Sequence, residues 1–123
     1  MNESVLVTIR RMLTGILYSG ETAFDDELIN HINMVMAILH RLGVGPKEGF
    51  RITSENEMWS DFLQTDEMLS EIQSYVYMKV KMIFDPPASS SASKAFESYI
   101  QELEWTIDNA VNYKKVEEAI PSE

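Results

Sequence analysis

The sequence predicts an all-α, four-helix bundle-like single domain with a long loop between its second and third long helices. Three observations carry that prediction. Apolar residues recur at helical spacing in four segments, there is no valine-rich alternating run or Asn-Gly hairpin signal, and three glycines and a proline crowd one stretch. At 123 residues, with 45% hydrophobic and 24% charged residues, the chain is long enough for one self-sufficient core.

In the first helix Val5, Ile9, Met12, Leu13 and Ile16 share a face, and Asn2 or Ser4 is placed to cap it. Gly15 and Gly20 weaken its far end, so it is expected to stop near residue 15 or a little later.

The second helix carries the stripe Leu28, Ile32, Val35, Leu39 and Leu42, widened by Phe24, Ile29 and Met36. "TAFD" reads as a capping box between Thr22 and Asp25, and Asp25, Asp26 and Glu27 suit the positive end of the helix dipole. His40 and Arg41 suit the opposite end, and Gly43 comes next as the residue that closes the helix.

"GVGPKEGFRITSENE" then forbids regular structure and marks a loop of roughly a dozen residues. Phe50 and Ile52 alternate with polar neighbours inside it, which allows a short extended piece. Ser54 and Glu57 form a second capping-box pattern, opening a short helix or turn through Met58, Trp59, Phe62 and Leu63.

Thr65 is placed to cap the third long helix, with its stripe Leu69, Ile72, Val76, Val80 and Ile83. Pro86 ends it at Asp85, because a residue before proline is pushed out of the α region. The fourth long helix comes after the serines, with Phe96, Tyr99, Ile100, Leu103, Ile107, Ala110 and Val111 on one face.

"DPPASSS" between them reads as a rigid corner. Both flanking stripes need each other for burial, the prolines stiffen the turn, and Ser89, Ser90 or Ser91 can cap the fourth long helix. The expected domain covers residues 1–113. Residues 114–123, which lose the stripe and end near Pro121, read as a tail that is frayed or ordered by a partner.

Composition removes several function classes. Twenty acidic against ten basic residues give a net charge of −10, which disfavours groove binding to nucleic acid. Without cysteine there is no disulfide, thiolate metal site or thiol nucleophile. The first residues place an acid before the apolar run and arginines after it, the reverse of a signal peptide, so a soluble chain is expected.

Chemistry-bearing patterns are equally sparse. His31 and His40 lie about half a turn out of phase on one helix and cannot share a metal. Glu27 and His31 offer only two ligands, and no Glu precedes another acid by three, as a magnesium-dependent helical hydrolase requires. "GVGPKEG" has no strand before it and lacks the Gly-Lys ending of a phosphate loop. No catalytic residue, metal or cofactor is therefore expected.

Trp59 and Trp105 each read as a core or boundary residue, with Trp105 at the edge of the buried face; the alternative is an interface hot spot. The eight methionines read as gap-filling core residues, with some left for an adaptable contact surface.

Three stretches carry a resemblance: "TAFDDEL" at 22–28, "LGVGPKEGF" and "MWSDFL" within 42–63, and "YMKVKMIFDPPASSSASKAFESYIQELEW" at 77–105. They are similar to the head–tail connector (adaptor) proteins of tailed phages and prophages. The resemblance implies a non-enzymatic virion assembly protein, forming a ring beneath the portal and extending the DNA channel. Implied partners are the portal, head-completion or tail proteins and further copies of the chain, with DNA passing unbound and no membrane. The implied location is the head–tail junction, after a stay in the host cytoplasm.

Under that reading the candidate interface comprises Phe50, Ile52, Trp59, Trp105, Tyr113, Lys114, Lys115, Val116 and Ile120. The glycine-broken loop would face the channel or a neighbouring ring, and the tail would order on a portal subunit. The competing expectation is a regulatory or chaperone-like module that holds a partner helix in a methionine-rich groove.

Overall fold

A computed structural model describes residues 1–14 and 22–119. Its helices are α1 (Val5–Thr14), α2 (Asp25–Arg41), α3 (Trp59–Phe62), α4 (Leu69–Phe84) and α5 (Ser90–Ala119). Four are long and α3 is a single turn. Among the described residues there is no strand, so the all-α prediction is met.

α1 starts because Ser4 caps it: its Oγ accepts the Val7 amide at 3.2 Å, and its carbonyl accepts the Thr8 amide. Val5, Leu6 and Ile9 then enter the core. Ile16, expected on the same stripe, lies outside the described residues.

The chain before α1 is tied down by the segment around residue 58. Val5 donates to the Glu57 carbonyl, Trp59 to that of Glu3 and Ser60 to that of Met1. Trp59 is thereby drawn fully into the core, where its indole N–H donates to Thr8 Oγ1 at 2.9 Å. That acceptor spares the buried indole the cost of an unpaired N–H.

α2 buries Leu28, Ile32, Val35, Met36 and Leu39. Its end is a Schellman motif: the Gly43 amide donates to the His40 carbonyl and the Val44 amide to that of Leu39. Gly43 adopts φ +91°, the left-handed conformation that closes such a motif. The Thr22 capping box does not form. Among the described residues no side chain caps α2, and Asp25 turns instead to Arg10.

The second expected box forms by half. Glu57 accepts the Ser54 amide and the Thr53 hydroxyl, but α3 begins only after Met58, whose amide is taken by Asp61. Thr65 likewise does not cap α4, which starts four residues later behind Met68.

α4 packs against α1, α2 and α5, and so forms the centre of the domain. Its buried residues are Ile72, Tyr75, Val76 and Val80, whereas Ile83 at the end of the predicted stripe is half exposed.

The corner is built as the sequence implies. Asp85 leaves the helix at φ −149°, Lys81 Nζ reaches its carbonyl at 3.1 Å, and Ser89 Oγ accepts the Ala92 amide at 3.1 Å. The chain reverses there. Tyr77 meets Phe96, Tyr75 meets Glu104 and Glu67 meets Lys114, so α5 runs antiparallel to α4.

Candidate assembly surface

α5 has 30 residues, about 45 Å at 1.5 Å per residue, nearly twice the length of α4. Among the described residues none buries the last two turns of α5. Only Ile100 and Ile107 are buried, with Phe96, Leu103 and Val111 partly covered. Every residue from Asn112 to Ala119 is exposed. The helix nonetheless continues through Ala119, so the expected tail boundary at residue 113 is not a break in structure.

The candidate interface residues divide into two groups. Ile52 and Trp59 are buried, which removes both from the accessible surface. Ile52 is held there because both ends of the Asn33 amide pair with its backbone, at 2.8 and 2.9 Å. Phe50 is partly covered and stacks on Phe62, with ring centroids 4.9 Å apart. The pull of the core on the loop and on the start of α3 accounts for all three.

Trp105, Tyr113 and Val116 form the other group, at 72%, 67% and 60% exposure. Trp105 is not at the edge of the core. It lies about 150° around the helix from the centre of the buried face set by Ile100 and Ile107, pointing away from α4. Lys114 and Lys115 are exposed, and Lys114 Nζ sits 3.9 Å from Glu67. Ile120 lies outside the described residues. Tyr99, assigned to the core stripe by spacing, is 56% exposed and extends the uncovered face of α5.

Shallow grooves flank Trp105. Ser98, Gln101 and Glu102 line one, and Leu42, Gln101, Glu104 and Asp108 line the other. Glu104 also accepts the Tyr75 hydroxyl at 3.1 Å. Burial, reinforced by that carboxylate, pushes the Tyr75 hydroxyl above its ordinary pKa and keeps it a donor.

Gly43 sets how closely α5 approaches the end of α2, since a Cβ there would stand 2.9 Å from Val111 Cγ1. Among the described residues no group of three or more His, Asp or Glu is placed to hold a metal, and no helix is long and apolar enough to cross a membrane. Exposed aromatic residues and carboxylates thus lie together along the uncovered side of α5.

A family model described as "Phage connector protein" matches residues 5–114, from the start of α1 through most of α5. The chain belongs to the phage connector protein family. Connector proteins are a structural family of the phage particle, which gives this chain a structural connector role. The match takes in both the core elements of this connector and its uncovered helix. No match was found among curated proteins or among solved structures.

Proposed function

We propose that this connector is the subunit of a ring that docks beneath the portal, lengthens the DNA channel and offers a platform to head-completion or tail proteins. One observation carries the reading: α5 extends a full-length helix past its own core and leaves Trp105, Tyr113 and Val116 bare. Large apolar side chains held on a rigid helix gain burial only from another chain.

The charge fits the same role. A net charge of −10 repels DNA phosphates, which suits a wall that DNA must pass without sticking. The chaperone-like alternative needs a methionine-lined groove. Among the described residues Met34 is the one methionine in the set of exposed large hydrophobics, and Met36 is buried.

Mixing the protein with a purified portal ring and imaging by electron microscopy tests the proposal. Added density of cyclic symmetry on the narrow end of the portal is expected. A portal that stays bare at micromolar connector overturns it.

A further inference from the structure

The ring reading leaves open which surfaces of neighbouring subunits meet, and a closed ring of identical chains requires two different, complementary patches on each. The first patch centres on Trp105. Between Glu97 and Tyr113, α5 carries four carboxylates, Glu97, Glu102, Glu104 and Asp108, and no cation. Glu102 and Asp108 stand one turn to either side of the indole. A bare indole flanked by carboxylates favours a guanidinium, which stacks on the ring face while its N–H groups reach the acids.

The second patch lies across α2. The loop after Gly43 is fastened to α2 by the Asn33–Ile52 hydrogen bonds, with Gly49 beside His40. Leu42, which shares a groove with Trp105, comes nine residues after Asn33 and so faces the other side of α2. The loop and α5 therefore occupy opposite flanks of that helix. On the loop, Lys47 and Arg51 are exposed, and neither enters an ion pair with a described residue.

Building on the ring reading, we propose that the Trp105 face of one connector receives Arg51, with Lys47 alongside, from the next copy. Lys47 and Arg51 outnumber the exposed Glu48 between them, so the loop patch is opposite in sign to the carboxylate face. The two lie on opposite flanks, and one contact repeated head to tail propagates around a ring. Trp105 supplies the desolvated centre of the contact, and Glu102 and Asp108 fix its orientation.

The chain has no cysteine, so engineered pairs report contacts without background. Glu48→Cys on the loop and Asn109→Cys on α5 replace exposed residues. Mixing the two single variants under mild oxidation is expected to give a disulfide-linked dimer, while each alone gives little. Trp105→Ala in the Asn109→Cys chain is expected to weaken association about 30-fold, the scale of an aromatic hot spot. Arg51→Glu in the Glu48→Cys chain should do likewise, and Glu102→Arg should partly restore it.

Equal linkage within each single variant would mean a self-complementary contact and would overturn the proposal. A wild-type ring of defined size that is indifferent to Trp105→Ala and Arg51→Glu overturns this contact but leaves the ring reading standing. Trp105-dependent linkage that grows into open chains in the Glu48→Cys/Asn109→Cys double variant supports the contact and overturns the ring. No mixed dimer, with Trp105 shielded from acrylamide quenching only by added portal, assigns the face to the portal and overturns the self-contact.

Discussion

Arg10 and Asp25 are joined at two points, Nε to Oδ1 at 3.1 Å and Nη2 to Oδ2 at 2.7 Å. Glu55 Oε1 lies 2.6 Å from the same Nη2, so one guanidinium ties α1, the start of α2 and the loop before α3. The Arg10 side chain is only 4% exposed. Burial works against its charge, but the hydrogen bonds it donates to Glu55 and Asp25 outweigh that and raise its pKa above the ordinary arginine value.

Removing Arg10 therefore leaves two carboxylates without their cation. Arg10→Ala is expected to cost about 3 kcal/mol, the low end for a broken buried pair, because Asp25 and Glu55 keep some access to water. Arg10→Met should cost less, since its side chain refills the space. Urea unfolding measures both, and an unmoved midpoint would show that the pair adds nothing to stability.

The glycine loop makes a separable test of backbone and steric effects. Gly45 and Gly49 have nearly the same φ, +91° and +92°. A Cβ at Gly45 would stand 2.5 Å from Phe62 Cε1, whereas at Gly49 its nearest contact is at 4.0 Å. Gly49→Ala should lose about 1–2 kcal/mol from the left-handed backbone alone. Gly45→Ala should lose more, because Phe62 must move and its stacking on Phe50 is disturbed. Equal melting temperatures for the two variants would place all the cost in the backbone.

Core depth orders two further changes. Leu39 is fully buried at the centre of the α2 face, and Leu39→Ala is expected to cost about 2–5 kcal/mol. Leu103 on α5 is only partly covered, so Leu103→Ala should fall below that range. Thermal denaturation of the pair checks the order, and a larger loss at Leu103 would mean that α5 is packed more deeply than described.

The main helices were legible because each stripe repeats at helical spacing, and Leu28 through Leu39 are buried as their spacing requires. Caps were less legible. Thr22 and Asp25 match a capping box, yet Asp25 gains more from a buried arginine on another helix than from a local amide, and sequence spacing does not reveal such a partner. Trp105 and Tyr99 show a third limit. α5 is covered chiefly by α4, with only the end of α2 near Val111, so its buried face is narrower than its apolar stripe. The run of carboxylates around Trp105 was the available signal that this tryptophan faces outward.

Glu57 gives a pH dependence with a definite sign. Burial opposes its charge, but hydrogen bonds from the Thr53 hydroxyl and the Thr53 and Ser54 amides outweigh it and lower its pKa below 4.5. A carboxylate with a lowered folded pKa adds stability above its unfolded pKa, and that stability is lost as pH falls through the folded value. The loss therefore lies below about pH 4.5. Chemical denaturation between pH 6 and pH 3 should show Glu57→Gln flattening the acid limb. An unchanged slope would mean that the loop clamp is equally stable with the acid protonated.

Truncation after Tyr113 distinguishes core from contact surface. Residues 114–119 are helical, but every one is exposed, and the Lys114–Glu67 pair at 3.9 Å is a surface contact worth at most about 1 kcal/mol. Removing residues 114–123 should therefore leave the melting temperature within a few degrees of the full chain. The same truncation removes Lys115 and Val116 from the uncovered end of α5, so binding to a portal ring should weaken. A truncated chain that fails to fold would place the end of α5 in the core. One that folds and binds as well as the full chain would confine the assembly surface to the half of α5 around Trp105.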